Sequence, residues 1–463
     1  MKKLLLVPLL AAFTTGIATG QTSADTNLPS QLDSLITTRL KSVAPGAAVL
    51  VAKKGEIVYN KAFGTADIEL NVPMQSNMVF RLGSVTKQYT AIAILQLVEQ
   101  RKIDLGDSVQ KFIKDFPFKG HTITIENLLT HTSGIIDYQA LDTKEANEKF
   151  IYRKDFAPKE VIDFFKNEPL AFAPGSQFGY SNSNYFLLGY IIELITGETY
   201  RDYLQKNIFT PAGLTHTYYG GYKEIIPDRV SGYAGYNSRY ENADYVSMTI
   251  PYAAGALMSN TEDMFKWHQA LYAGKLISME TLKKAFSPHI LSNGSPSEYG
   301  YGWFMKDLLG SKTIEHAGGI DGFQSDEIYF PEEDIFVATL YNALKEGGDD
   351  LSFLYLSNDI ATLAIGKALA KDIKIDPSIL QQYTGVYATD AKHSVTISVD
   401  SGQLQIESKS GNLPRSPLFA ESETKFLLKV VKAEIEFLRD DKGNTTQLIV
   451  YVNGQKQVCK KIK

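Results

Sequence analysis

From Ala91 to Val98 the chain offers one polar side chain, Gln96, in a run that follows Arg81-Leu82-Gly83-Ser84-Val85-Thr86-Lys87 without a helix breaker. A helix apolar nearly all the way round has little solvent face, so it must lie inside a large core. The chain is long enough to wrap it: 463 residues, 44% hydrophobic and 21% charged, can hold two or three domains, or one large domain plus a small one. The loop ahead of the helix therefore delivers Ser84 onto a rigid mount.

At that first turn, unpaired backbone N–H groups and the positive end of the macrodipole favour developing negative charge on the Ser84 hydroxyl. Lys87 lies three residues on and shares its helical face, so its amine can reach the hydroxyl, and the pair suits a nucleophile beside its base. The same four residues also suit a serine N-cap followed by an exposed lysine. So short a pattern does not choose between them.

Net charge is −5 and no long basic block occurs, which argues against a nucleic-acid partner. Met1-Lys2-Lys3, an apolar run from Leu4 to Phe13 and small residues up to Ala18-Thr19-Gly20 have the layout of a secretory signal, with cleavage expected near Gly20 or Ala24. Residues 1–24 are thus expected to be removed and the protein exported to the periplasm or beyond. The run is short for a span and no second apolar stretch of ~18 residues follows, so no stable membrane span is expected after signal removal. Cys459 is the only thiol, so an exported chain would hold together by packing without internal disulfides, and the signal has no cysteine close behind it for lipid attachment. Seven histidines lie without paired ligand spacing, so neither a metal site nor another cofactor is expected.

Along the chain, Leu32, Leu35, Ile36 and Leu40 mark a surface helix over 30–41, and Ala47 to Ala52 with Ile57 to Phe63 read as a hairpin turned at Lys54-Gly55. His131, in the small polar loop Thr130 to Ile135, has no acidic neighbour to orient it and reads as a hydrogen-bonded structural residue. Tyr180-Ser181-Asn182 stands at the entrance of a second apolar helix that stops at Gly197; Asn182 could serve function there or simply cap the helix. Ser259-Asn260-Thr261-Glu262 has a capping-box pattern before a third helix. Strands are expected over Ser325 to Phe330 and Ile335 to Tyr341, with Ile314 to Gly319 among them, and a last helix from Leu351 to Leu369. Helices then bracket a largely antiparallel sheet in an α/β sandwich, residues 25–370. After a linker at 371–377, alternation at Val395/Ile397/Val399, Leu404/Ile406, Ile435/Phe437 and Leu448/Val450/Val452, with turns at Ser401-Gly402, Asp441 to Asn444 and Asn453-Gly454, predicts a small accessory β domain over 378–463.

Ser84-x-x-Lys87, Tyr180-x-Asn182 and His316-x-Gly318, in that order, resemble the serine β-lactamase and penicillin-binding-protein superfamily, in particular its class C-like branch with DD-peptidases, D-amino-acid amidases and esterases. The resemblance implies an α+β fold, an antiparallel sheet flanked by helices with an all-helical cluster, across roughly Leu32 to Leu369. It implies that Ser84 attacks a carbonyl, that Lys87 and Tyr180 share the proton transfers, and that Asn182 holds substrate and Lys87. It further implies an oxyanion hole from the Ser84 and Gly319 N–H groups, with Gly318 letting substrate approach the strand edge. Two departures bear on substrate: Ala256 stands where a second glycine is common, and His316 replaces a lysine. With an ordinary pKa of ~6.5, His316 is expected to be mostly neutral at pH 7 and to take up charge as pH falls toward about 5.5. The expected function is an exported serine hydrolase acting on small ester or amide substrates, D-amino-acid or cell-wall-derived peptides among them. A true β-lactamase, a DD-carboxypeptidase and a penicillin-binding sensor without turnover are the alternatives.

Overall fold

The computed structural model describes residues 27–40, 44–141, 153–236, 239–345, 352–369, 373–389, 393–408, 413–428, 433–440, 442–452 and 455–462. The expected signal, residues 1–24, and the expected Asn453-Gly454 turn lie outside them. In chain order, α1 (Leu28–Arg39) comes before strands β1 (Ala47–Lys53) and β2 (Glu56–Phe63), and β3 (Phe80–Arg81) leads into α2 (Thr86–Glu99). There follow α3 (Asn182–Thr196), β4 (Tyr218–Tyr219), the one-turn α4 (Tyr252–Gly255), β5 (Leu257–Ser259) and α5 (Thr261–Tyr272). Strands β6 (Phe304–Leu308), β7 (Ser311–Ile320), β8 (Phe323–Phe330) and β9 (Ile335–Tyr341) then precede α6 (Ser352–Ala364).

Six strands form one antiparallel sheet in the order β6-β7-β8-β9-β1-β2. Lys54 and Gly55, both at positive φ (51° and 80°), close the β1–β2 hairpin as a two-residue turn of the kind that matches strand twist. Successive side chains of a strand point to opposite faces, and here both faces are covered. Ala48, Leu50 and Ala52 of β1 join the core shared with α2, α3 and α5, while Val49 and Val51 meet Leu32 and Ile36 of α1 and Ile360 and Ala361 of α6. Every residue from Thr86 to Leu97 of α2 is buried, as its lack of a polar face requires. The result is a mixed α/β layer structure with a helical cluster on one side of the sheet.

Three local boundaries differ from the sequence expectation. The last helix stops at Ala364, because Gly366 takes a left-handed φ of 75° and Lys367 N–H bonds back to Thr362 O. Asn260, not Ser259, caps α5, accepting from Asp263 N–H. The segment expected as linker through Pro377 already holds a helix start: Asp376 accepts from Ser378 N–H, and α7 (Pro377–Tyr383) begins with proline at its first position.

Beyond α7, nine strands make a second antiparallel sheet: β10 (Gly385–Ala388), β11 (Ser394–Asp400), β12 (Gln403–Ser408), β13 (Leu413–Pro417), β14 (Phe419–Ala420), β15 (Lys425–Leu428), β16 (Ala433–Arg439), β17 (Thr445–Val452) and β18 (Gln455–Lys461). The order is β13-β12-β11-β10-β18-β17-β16-β15-β14. Its two edge strands, β13 and β14, are joined by Leu418 alone, so the sheet must curl until its edges meet, and it is barrel-like. Ile397, Leu404, Ile406, Ile435, Phe437 and Leu448 fill its interior with Tyr383 of α7. Among the described residues, no helix is long and apolar enough to cross a membrane.

Candidate active site

Ser84 sits in a 3-10 turn, Gly83–Val85, that runs directly into α2. The turn is fixed from two sides. Leu82 N–H bonds to Leu257 O of β5 at 2.8 Å, and Leu82 O accepts from Ser325 Oγ of β8 at 2.7 Å. Strand β7 then presses against it backbone to backbone: a Cβ on Gly318 would fall 2.0 Å from Leu82 O and 2.9 Å from Ser84 N, and one on Gly83, which has φ of +51°, 2.8 Å from Gly319 O. Gly318 therefore serves the packing of the nucleophile turn. Gly319 is the open one, since a Cβ there would meet nothing within 4 Å.

Lys87 is fully buried, and its Nζ donates to three oxygens: Ser84 Oγ at 3.0 Å, Asn182 Oδ1 at 2.8 Å and Ala254 O of α4 at 2.9 Å. Three acceptors suit an ammonium, whereas burial favours the neutral amine. Burial is the larger effect and lowers the pKa to about 7, with the Asp137 carboxylate pulling the other way. Asn182 is the first residue of α3, after Ser181 at the N-cap position, so its side chain is not capping the helix. Its Nδ2 donates to Asp137 Oδ2 at 2.9 Å and Gln139 Oε1 at 3.0 Å, which leaves Oδ1 facing Lys87. The Tyr180 ring lies 4.8 Å from Lys87 Nζ. Burial holds its phenol proton on well above the usual range; the bonded Ser84 hydroxyl opposes this and Asp137 adds to it.

His316 is on β7 but does not face solvent. Its ring is buried, Nδ1 donates to Ala317 O at 2.6 Å, and Nε2 therefore accepts from the Tyr299 hydroxyl at 3.1 Å. Burial first, then the nearby Lys87, lowers its pKa to about 3. The expected titration near pH 6.5 is thus overturned: taken out of water beside a cationic amine, this imidazole stays neutral throughout the physiological range. His131 is a structural residue by its contacts. Its Nδ1 accepts from Ser181 N–H at 3.2 Å and its ring lies 4.3 Å from that of Tyr180, so it supports the loop that carries the tyrosine.

Strand β6 covers β7 only as far as Glu315, so, among the described residues, 316–320 present an unpaired strand edge beside Ser84. Edge and turn border a cleft of about 720 Å³ lined by Ser84, Asn182, Tyr138, Ile250, Gly255 and Gly319, with the exposed Arg153–Asp244 pair (2.9 Å) and Asp321 also at its wall. Among the described residues no group of three His, Cys, Asp or Glu is placed to hold a metal ion. Asp137, Gln139 and the Ala254 carbonyl were missed in the sequence. An acidic residue following the apolar Ile135-Ile136 pair is a weak signal for Asp137, and a backbone carbonyl has none.

The chain matches the family model described as beta-lactamase over residues 32–359 and a domain of unknown function (DUF3471) over 369–461. A penicillin-binding protein of Bacillus subtilis (strain 168) is 30% identical over 437 residues, 90% of this chain and 94% of that protein. Among solved structures, the octameric penicillin-binding protein homologue from Pyrococcus abyssi aligns with TM-score 0.65 and 26% identity over 93% of this chain and 99% of that one. A D-stereospecific amidohydrolase from Streptomyces sp. aligns with TM-score 0.58 and 25% identity, covering 68% and 94%.

Proposed function

This chain belongs to the β-lactamase family of serine hydrolases, and we propose that it acts through a Ser84 acyl-enzyme on small esters or amides, D-amino-acid derivatives among them. The observation that carries this reading is the 3.0 Å contact between Lys87 Nζ and Ser84 Oγ, with burial bringing that amine's pKa to about 7. Neutral Lys87 takes the Ser84 proton as Oγ attacks the carbonyl carbon. The oxyanion then lies between the Ser84 and Gly319 N–H groups, each such donor being worth about 3 kcal/mol or more. Tyr180, a phenol at neutral pH, passes a proton to the leaving group and is resupplied by Lys87. A water follows the reverse path to release the acyl group.

The cleft wall favours uncharged substrates over carboxylate-bearing β-lactams. Its cation Arg153 is already paired with Asp244, and His316, which stands where the Lys-Thr-Gly form of the motif has lysine, is neutral. The penicillin-binding relative and the D-stereospecific amidohydrolase support a peptide-like amide, of cell-wall origin in an exported protein. Export rests on the charged, apolar and small-residue order of residues 1–24, and N-terminal sequencing of the secreted form tests it.

The test of activity is a panel of a p-nitrophenyl ester, a D-alanyl amide and a penicillin, read by turnover and by intact mass. Turnover of the first two and added mass on a Ser84 peptide are expected. Labelling that survives Ser84→Ala overturns the assignment.

A further inference from the structure

The unpaired edge of β7 ends in a charge. Asp321 opens the Asp321-Gly322 turn between Ile320 and Phe323, is exposed, and lines the Ser84 cleft. The other charged residues of the cleft wall, Arg153 and Asp244, pair with each other at 2.9 Å, so Asp321 leaves that wall net negative. Its own charged neighbours act in opposite directions: Arg81, which lies 5.6 Å from the centre of the Phe323 ring, favours the carboxylate, and Asp244 opposes it. Among the described residues no cation stands at ion-pair distance from Asp321.

Direction along the edge follows from the catalytic groups. Tyr180, which passes a proton to the leaving group, has its ring 6.2 Å from that of His316, where the edge begins. The leaving group therefore lies toward His316, and the acyl part of the substrate lies toward Ile320 and Asp321. Asp321 stands two residues past Gly319, roughly 7 Å along a strand. The stretch between the oxyanion site and that carboxylate is apolar: Ile320 packs with Val246, and both line the cleft.

We propose that the cleft selects acyl groups carrying a cationic amine at the far end of an apolar stem, and that Asp321 receives the amine. The inference rests on the Ser84 acyl-enzyme reading and extends it to a substrate class. The stem lies along Ile320 and Val246 while the ammonium head stays wet at the turn, the ordinary behaviour of a long amine at a protein surface. An α-ammonium, on the carbon next to the reacting one, falls short of Asp321, and a carboxylate meets a wall of its own sign.

The test compares kcat/KM near neutral pH for the p-nitrophenyl esters of ε-aminocaproate and of heptanoate, which match in length and differ in the terminal ammonium. The amino ester is expected to be favoured about fivefold, the size of an ion pair open to water, with the preference shrinking in high salt. In Asp321→Asn the ratio should fall to near one, and in Asp321→Lys below one. A ratio that Asp321→Asn leaves unmoved overturns the proposal, as does an equal effect of that substitution on the norleucine ester, whose amine is α. Ser84-dependent turnover of the heptanoate ester keeps the two readings apart: its absence counts against the acyl-enzyme and leaves Asp321 to a binding measurement. NMR titration of the full chain with ε-aminocaproamide then decides, since weaker binding in Asp321→Asn supports the charge contact and unchanged binding overturns it.

Discussion

Asp137 Oδ2 accepts both the backbone N–H and the side-chain Nδ2 of Asn182, at 3.0 and 2.9 Å. The amide is thereby held with its oxygen toward Lys87, and the carboxylate's charge raises the pKa of the same amine. In Asp137→Asn the charge is gone, so Lys87 ionises at lower pH and the neutral base persists into more acid solution. The acid limb of kcat/KM is expected to move to lower pH, with kcat down about tenfold from the loosened amide. A pH–rate profile of the two proteins checks this, and an unmoved limb would show that Asp137 only caps its turn.

Lys87 itself sets function against stability. Its folded pKa, about 7, lies below the ordinary lysine value of 10.5, so between those values the unfolded chain binds the extra proton and stability rises with pH. Below about pH 7 that gain is absent. Lys87→Met removes the buried amine while keeping apolar volume, and is expected to lower turnover by ~10²-fold or more while raising the melting temperature at pH 6. Thermal melts of both proteins at pH 6 and pH 9 test it: the variant's advantage should shrink at the higher pH.

For His316, the ratio of kcat/KM between a carboxylate substrate and its uncharged analogue should stay flat from about pH 5.5 to about pH 8, since its pKa of about 3 lies below that window. The same shift predicts that stability is lost as pH falls from the unfolded value, ~6.5, toward 3, because only the unfolded ring protonates there. His316→Gln, which cannot titrate, should flatten that part of a pH–stability curve.

Gly318 and Gly319 separate packing from catalysis. Gly318→Ala drives a methyl into Leu82 O and should lower the melting temperature markedly, with loss of activity following the loss of fold. Gly319→Ala points into open space and should melt as the parent does, so any fall in kcat there reports on the cleft alone. Matched melting curves and ester turnover decide between them.

What the sequence made legible was whatever repeats with a period or follows a short local rule. The apolar character of α2, the unbroken apolar run of β1 and the Gly197 stop of α3 all obey such rules, since burial is written in neighbouring residues. Lys87 beside Ser84 was readable because three residues make nearly one helical turn. Asp137 was not, because its partner is 45 residues away in sequence and depends on how a loop meets a helix. The environment of His316 was hidden for the same reason: a histidine on a strand looks titratable until Tyr299 and Lys87 are brought against it.

The clasp on the nucleophile turn also orders events in time. Leu82 is bonded to Ser325, 243 positions later, and β1 pairs with β9, whose last residue is Tyr341. A ribosome releases the serine and its lysine long before it releases the strands that shape them, so a nascent chain carries the reactive pair in a form that cannot yet be aligned. Contacts this distant in sequence close slowly. Alignment of the pair therefore waits until nearly three quarters of the chain, as far as Tyr341, is present.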